Sequence, residues 1–109
     1  MMDLETTQAQ IQKDINQHPV ILFMKGNRLM PQCGFSAQVV HILQQLNINF
    51  EVRNVLEDDA LRQGIKEFSD WPTIPQLYID KEFIGGCDIV TQLYEEGKLA
   101  EKLENYRED

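Results

Sequence analysis

The chain has 109 residues, 42% hydrophobic and 26% charged, with a formal net charge of −8. That length suits one compact domain with a modest core, and the negative charge argues against nucleic acid and against anionic membranes. No apolar run approaches the roughly 20 residues of a membrane span. Met1 to Gln12 is polar and acidic where a signal or transit peptide would be apolar or basic. A cytoplasmic protein with free thiols is therefore expected.

In chain order, Leu4, Ile11 and Ile15 share one helical face, and His18-Pro19 ends that segment. Val20 to Met24 is continuously apolar, the pattern of a central strand covered on both faces. From Cys33 to Asn47, a helical stripe is formed by Val39, Val40, Leu43 and Leu46. Ile48, Phe50 and Val52 alternate with Asn49, Glu51 and Arg53, which predicts a half-buried strand. Glu57-Asp58-Asp59 opens another helix with acids at its favourable end, and Leu61, Ile65 and Phe68 give its buried face. Gln76 to Ile79 and Glu82 to Ile84, split by Asp80-Lys81, read as a hairpin. Gly85-Gly86 breaks that strand, Ile89, Val90 and Leu93 start a helix, and Gly97 ends it. Leu99, Leu103 and Tyr106 suggest a last short helix, with a polar tail from about residue 104. The order predicts an α/β fold: a small mixed four-stranded sheet, one β-α-β unit plus one hairpin, flanked by helices.

The chemistry centres on Cys33, in Met30-Pro31-Gln32-Cys33-Gly34-Phe35-Ser36. A thiol at a helix start meets orphan N–H groups and the positive end of the helix dipole, which favour thiolate. The spacing is that of a redox Cys-x-x-Cys, but Ser36 stands at the second position. A hydroxyl cannot resolve a mixed disulfide. Cys33 must then find its partner in Cys87, in a small thiol or in a metal. His18 and His41 lack the spacing of a metal site, and Trp71 and Met30 read as packing and loop residues.

Met24-Lys25-Gly26, the Cys33-Gly34-Phe35-Ser36 string, Trp71-Pro72-Thr73-Ile74-Pro75-Gln76 and Gly85-Gly86-Cys87-Asp88 stand together in the order of a monothiol glutaredoxin. From about Ile11 to Leu103 the chain resembles the single-domain members of that family. The resemblance implies a thioredoxin fold, glutathione as ligand and a glutathione-ligated 2Fe-2S cluster passed to iron-sulfur client proteins. It also implies weak glutathione-disulfide reductase activity at most, and a BolA-like protein as a possible partner class. Glutathione carries two carboxylates and one ammonium, so Lys25 and Arg62 are assigned to the glycyl carboxylate. Asp88 is assigned to the glutamyl ammonium, and the N–H groups of Cys87 and Asp88 to the glutamyl carboxylate. Gly86 allows close backbone approach. The resemblance further implies that Thr73-Ile74-Pro75 is a cis-proline loop pairing with the cysteinyl unit, and that Phe35 packs at the site or covers the cluster.

A 2Fe-2S cluster normally takes four thiolates. Two copies of Cys33 and two glutathiones supply them, which implies a cluster-bridged homodimer; ligation by Cys87 as well would dispense with glutathione, and the resemblance disfavours it. Besides the carrier reading stand a glutathione-dependent thiol-disulfide oxidoreductase and a non-catalytic interaction module. One departure from the family pattern is Gly26-Asn27-Arg28, where relatives often carry a small polar residue and proline. Without proline's fixed φ the loop is expected to be more mobile, and Arg28 is expected to add a cation beside the pocket.

Overall fold

The computed structural model describes residues 4–108. Five helices, α1 (Leu4–Gln17), α2 (Gly34–Gln45), α3 (Asp59–Ser69), α4 (Cys87–Glu95) and α5 (Lys98–Leu103), cover four strands, β1 (Val20–Met24), β2 (Glu51–Asn54), β3 (Gln76–Ile79) and β4 (Glu82–Gly85). The sheet order is β2-β1-β3-β4. Strand β1 runs parallel to β2 and antiparallel to β3, and β3 is antiparallel to β4. This is the mixed four-stranded sheet that the element order predicts.

All five residues of β1 are buried, and the two-residue period of a strand sends them to opposite faces. Val20, Leu22 and Met24 enter a core with Val39 and Leu43 of α2, Val90 of α4, and Leu99 and Leu103 of α5. Ile21 and Phe23 enter a second core with Ile11 and Ile15 of α1, Ile65 of α3 and Tyr78 of β3. The side chain of Leu4, expected on the same face as Ile11, lies outside the described residues.

Several boundaries differ from the sequence pattern. Strand β2 starts at Glu51 rather than Ile48, although Ile48 and Phe50 are buried as the alternation requires. The register pairs Ile21 with Glu51, so earlier residues would run alongside Pro19, which has no N–H to contribute. Helix α2 stops at Gln45, because Asn47 adopts a left-handed φ of 59°. Its N–H bonds the Gln44 carbonyl at 3.0 Å and that of Ile48 bonds Leu43 at 3.1 Å, which closes the helix in a Schellman motif. Helix α4 begins at Cys87, two residues before Ile89, on Gly86 as N-cap.

Residues 104–108, which the sequence pattern gives as the start of a polar tail, are tied to the domain. Glu104–Tyr106 forms a 3-10 turn. Tyr106 packs on the α2 side of the core, and its hydroxyl bonds Asp80 in the β3–β4 turn. Arg107 pairs with Ile48, and the Glu108 N–H bonds the Asn47 carbonyl at 2.8 Å. Leu103, fully buried at the root of this segment, is expected to lose about 2–5 kcal/mol on Leu103→Ala, as core leucines do. Urea unfolding followed by circular dichroism measures this; a loss below about 1 kcal/mol would mean the C-terminal segment is not part of the cooperative core.

Candidate functional site

Strand β1 ends at a turn that aims α2 back across the sheet. Gly26 takes φ +91°, and a Cβ there would lie 2.5 Å from the Met30 carbonyl oxygen and 2.6 Å from the Gln32 nitrogen. Only glycine fits so close a crossing. The Gln32 N–H donates to the Lys25 carbonyl at 2.9 Å, and Gly26 pairs with Pro31. Between them, the Asn27 side chain accepts from the N–H groups of Leu29 at 3.0 Å and Met30 at 2.9 Å. An Asx turn thus closes the segment in which Asn27-Arg28 departs from the family pattern.

Cys33 is the N-cap of α2, with extended φ −152° and ψ 136°. Ser36 is fully buried, and its hydroxyl accepts the Lys25 N–H at 3.1 Å. The Cys33 thiol lies below the ordinary cysteine value. The Ser36 N–H lowers it most, against the opposing effect of burial; the Phe35 N–H, the Lys25 charge and the Ser36 hydroxyl lower it further. These are the donors that the helix start presents to a thiolate.

The opposite wall comes from the segment before β3. The Ile74–Pro75 bond is cis, in agreement with the loop the sequence motif implies. A Cβ on Gly86 would meet the Pro75 carbonyl oxygen at 3.1 Å, so this glycine lets the start of α4 close on the cis-proline segment. Cys33 and this wall enclose a groove of about 440 Å³ that brings together Lys25, Phe35, Thr73, Ile74, Pro75, Gly86, Cys87 and Asp88. Phe35 is 64% exposed and Asp88 is exposed in the first turn of α4. Both cysteines are free, and the Cys87 sulfur lies 3.9 Å from the Thr91 hydroxyl. Trp71 packs on Phe83 at 5.8 Å, as expected of a packing residue, yet also lines the groove.

Two cations differ from the sequence reading. Lys66, one helical turn beyond Arg62 on α3, lines the groove, whereas Arg62 does not. The signal for Lys66 was its i+4 spacing from Arg62, which puts it on the same face and nearer Trp71. Arg28 does not line the groove: its guanidinium lies 4.6 Å from the Phe50 ring centroid and donates to the Phe50 carbonyl. Stacking on the aromatic face places that charge on the β2 side of the molecule. Lys25, Arg62 and Lys66 have no ion-pair partner among the described residues.

A sequence profile of the glutaredoxin family matches residues 20–84. The chain belongs to the glutaredoxin family. A rice relative, a chloroplastic monothiol glutaredoxin-S7, is 56% identical over 88% of this chain; the alignment spans 57% of that protein, little more than half its length. The solution structure of reduced poplar apo GrxS14 superposes with a TM-score of 0.82 and 52% identity, covering 95% of this glutaredoxin and 96% of that chain. A buckwheat glutaredoxin-glutathione complex superposes with a TM-score of 0.83 at 25% identity, covering 94% and 91%. The fold is thus the thioredoxin-like fold of glutaredoxins, and the chain carries the single motif thiol of the monothiol members.

Two outcomes follow from the thiol geometry. Because the folded state depresses the Cys33 value, alkylation of Cys33 should reach half its maximal rate below the free thiol value of about 8.5, and Lys25→Gln should move that midpoint upward. The same sign makes thiolate formation a stabilising contribution at alkaline pH, lost as pH falls through the folded value. A midpoint at or above that of a free thiol would contradict the arrangement. Ser36→Ala should raise the Cys33 midpoint and also destabilise the fold by about 1–3 kcal/mol, since the Lys25 N–H loses its acceptor. Alkylation kinetics and urea unfolding of the same variant separate the two effects.

Proposed function

We propose that this glutaredoxin is a carrier of 2Fe-2S clusters that uses glutathione as co-ligand. The observation that carries the reading is the groove itself. It sets one thiolate-favouring cysteine beside two lysines that have no ion-pair partner among the described residues and one exposed aspartate, with a serine where a resolving thiol would stand. Lys25 and Lys66 match the glycyl carboxylate of glutathione, and Asp88 its ammonium. The N–H groups at the start of α4 suit the glutamyl carboxylate. The buckwheat structure is a glutathione complex of the same fold.

The donor set fits a cargo shared between chains. Among the described residues no three His, Cys, Asp or Glu side chains gather as a metal site. Cys33 offers one thiolate per chain, so four thiolates come from two chains and two glutathiones. The surface beside Cys33 suits close approach of a second chain, with Leu29 87% exposed, Met30 66% and Phe35 64%. Cys87 lies in the same groove, and the competing oxidoreductase reading would use it or free glutathione to resolve a mixed disulfide on Cys33.

Anaerobic reconstitution with iron, sulfide and glutathione tests the reading by visible absorption. Cys33→Ser should abolish the cluster, omission of glutathione should prevent it, and Cys87→Ser should leave it in place. A cluster that survives Cys33→Ser, or one that needs Cys87 but not glutathione, overturns the ligand assignment. In calorimetric titrations of the apo protein, Lys25→Ala and Lys66→Ala should each weaken glutathione binding by about 1.5–3 kcal/mol, the range for a charge-assisted hydrogen bond. Arg62→Ala should lose less, because its side chain stands outside the groove lining. Fast turnover of a glutathione mixed disulfide by the unmodified protein would favour the oxidoreductase instead.

A further inference from the structure

Gln76, on β3, is fully buried. An amide so placed must find partners inside the protein. Its Nε2 donates to two backbone carbonyls of the preceding segment, Trp71 at 3.3 Å and Thr73 at 3.2 Å. Its Oε1 accepts from the Tyr78 hydroxyl at 3.2 Å. These partners settle the orientation of the amide, because the two carbonyls can only accept.

Tyr78 is itself 2% exposed and is packed edge-on against Phe23 at 5.7 Å and tilted against Phe83 at 5.4 Å. Burial pushes its phenol up to about 12, so it remains a donor throughout the neutral range. Phe83 in turn carries Trp71 at 5.8 Å. Residues 71–75 are therefore held from below by one amide and from the side by an aromatic stack. Trp71, Thr73 and Ile74 of this segment face the groove, whereas Gln76 does not line it.

We propose that Gln76 is a positioning residue for the glutathione groove, holding residues 71–75 at the distance from Cys33 that the ligand requires. The proposal rests on the glutathione reading above. It also accounts for the residue type. A methionine of similar volume would leave two inward carbonyls without their donor, and an ionised glutamate would face them with lone pairs.

Trp71 is the only tryptophan in the chain, so its fluorescence reports on this segment directly. The experiment combines calorimetric titration with glutathione and acrylamide quenching of Trp71 in wild type, Gln76→Met and Gln76→Glu, with circular dichroism to establish folding. Gln76→Met should bind glutathione about tenfold more weakly, equivalent to about 1.4 kcal/mol, and its Trp71 should quench faster while the protein stays folded. Unchanged affinity in folded Gln76→Met, or a lower affinity with unchanged quenching, overturns the proposal. If Gln76→Met does not fold, Gln76→Glu decides. Its protonated carboxyl can donate to one carbonyl, so affinity relative to wild type should fall as pH rises from about 5 to about 8 and the group ionises. A flat ratio overturns the proposal. Failure of wild type to bind glutathione at all would instead remove the reading on which the proposal rests, and the proposal with it.

Discussion

One hydrogen bond, from the Lys25 N–H to the Ser36 hydroxyl at 3.1 Å, ties the end of the central strand to the first turn of the helix that carries the thiol. Strand β1 is buried along its whole length and sandwiched between two apolar cores, so it is the fixed reference of the molecule. The position of Cys33 follows from that reference. Gly26 turns the chain, Gln32 bonds back to Lys25, and Ser36 anchors the helix start, where the N–H groups of Phe35 and Ser36 favour the thiolate. The serine is therefore more than a missing second thiol. It is a buried structural hydroxyl that also lowers the value of the neighbouring thiol, and in this place it excludes the internal disulfide that a second cysteine would allow.

The second wall of the groove is built by a different principle. Where the Cys33 side uses helix geometry, the cis-proline side uses close backbone packing and a buried amide. Gly86 admits the Pro75 carbonyl, and Gln76 bonds the carbonyls of Trp71 and Thr73. Between the walls, an acidic chain of net charge −8 keeps Lys25 and Lys66 without ion-pair partners among the described residues. Unneutralised cations in an otherwise negative molecule concentrate attraction for a small anion in the groove. That asymmetry supports a doubly carboxylated ligand such as glutathione.

Much of this is legible in the sequence where the signal is local. The apolar run Val20–Met24 announces a central strand, and the Cys33-Gly34-Phe35-Ser36 string announces a thiol at a helix start. What escapes depends on contacts distant in sequence. The choice between Arg62 and Lys66, one turn apart on the same face, depends on where along α3 the groove lies, which the spacing of its apolar residues does not resolve. Arg28 is drawn off by Phe50, 22 residues away. Gln76 reads as an ordinary polar strand residue until burial reveals its partners. The C-terminal residues look like a polar tail because their anchors are a backbone pairing with Ile48 and a bond to Asp80.

The central claim is a count of thiolates: one from each chain and one from each glutathione around a shared 2Fe-2S cluster. Native mass spectrometry of the anaerobically reconstituted protein measures that count directly. The account requires a single species of two chains, two iron atoms, two sulfides and two glutathiones. A cluster-bearing single chain, or a cluster-bearing dimer without glutathione, would contradict it.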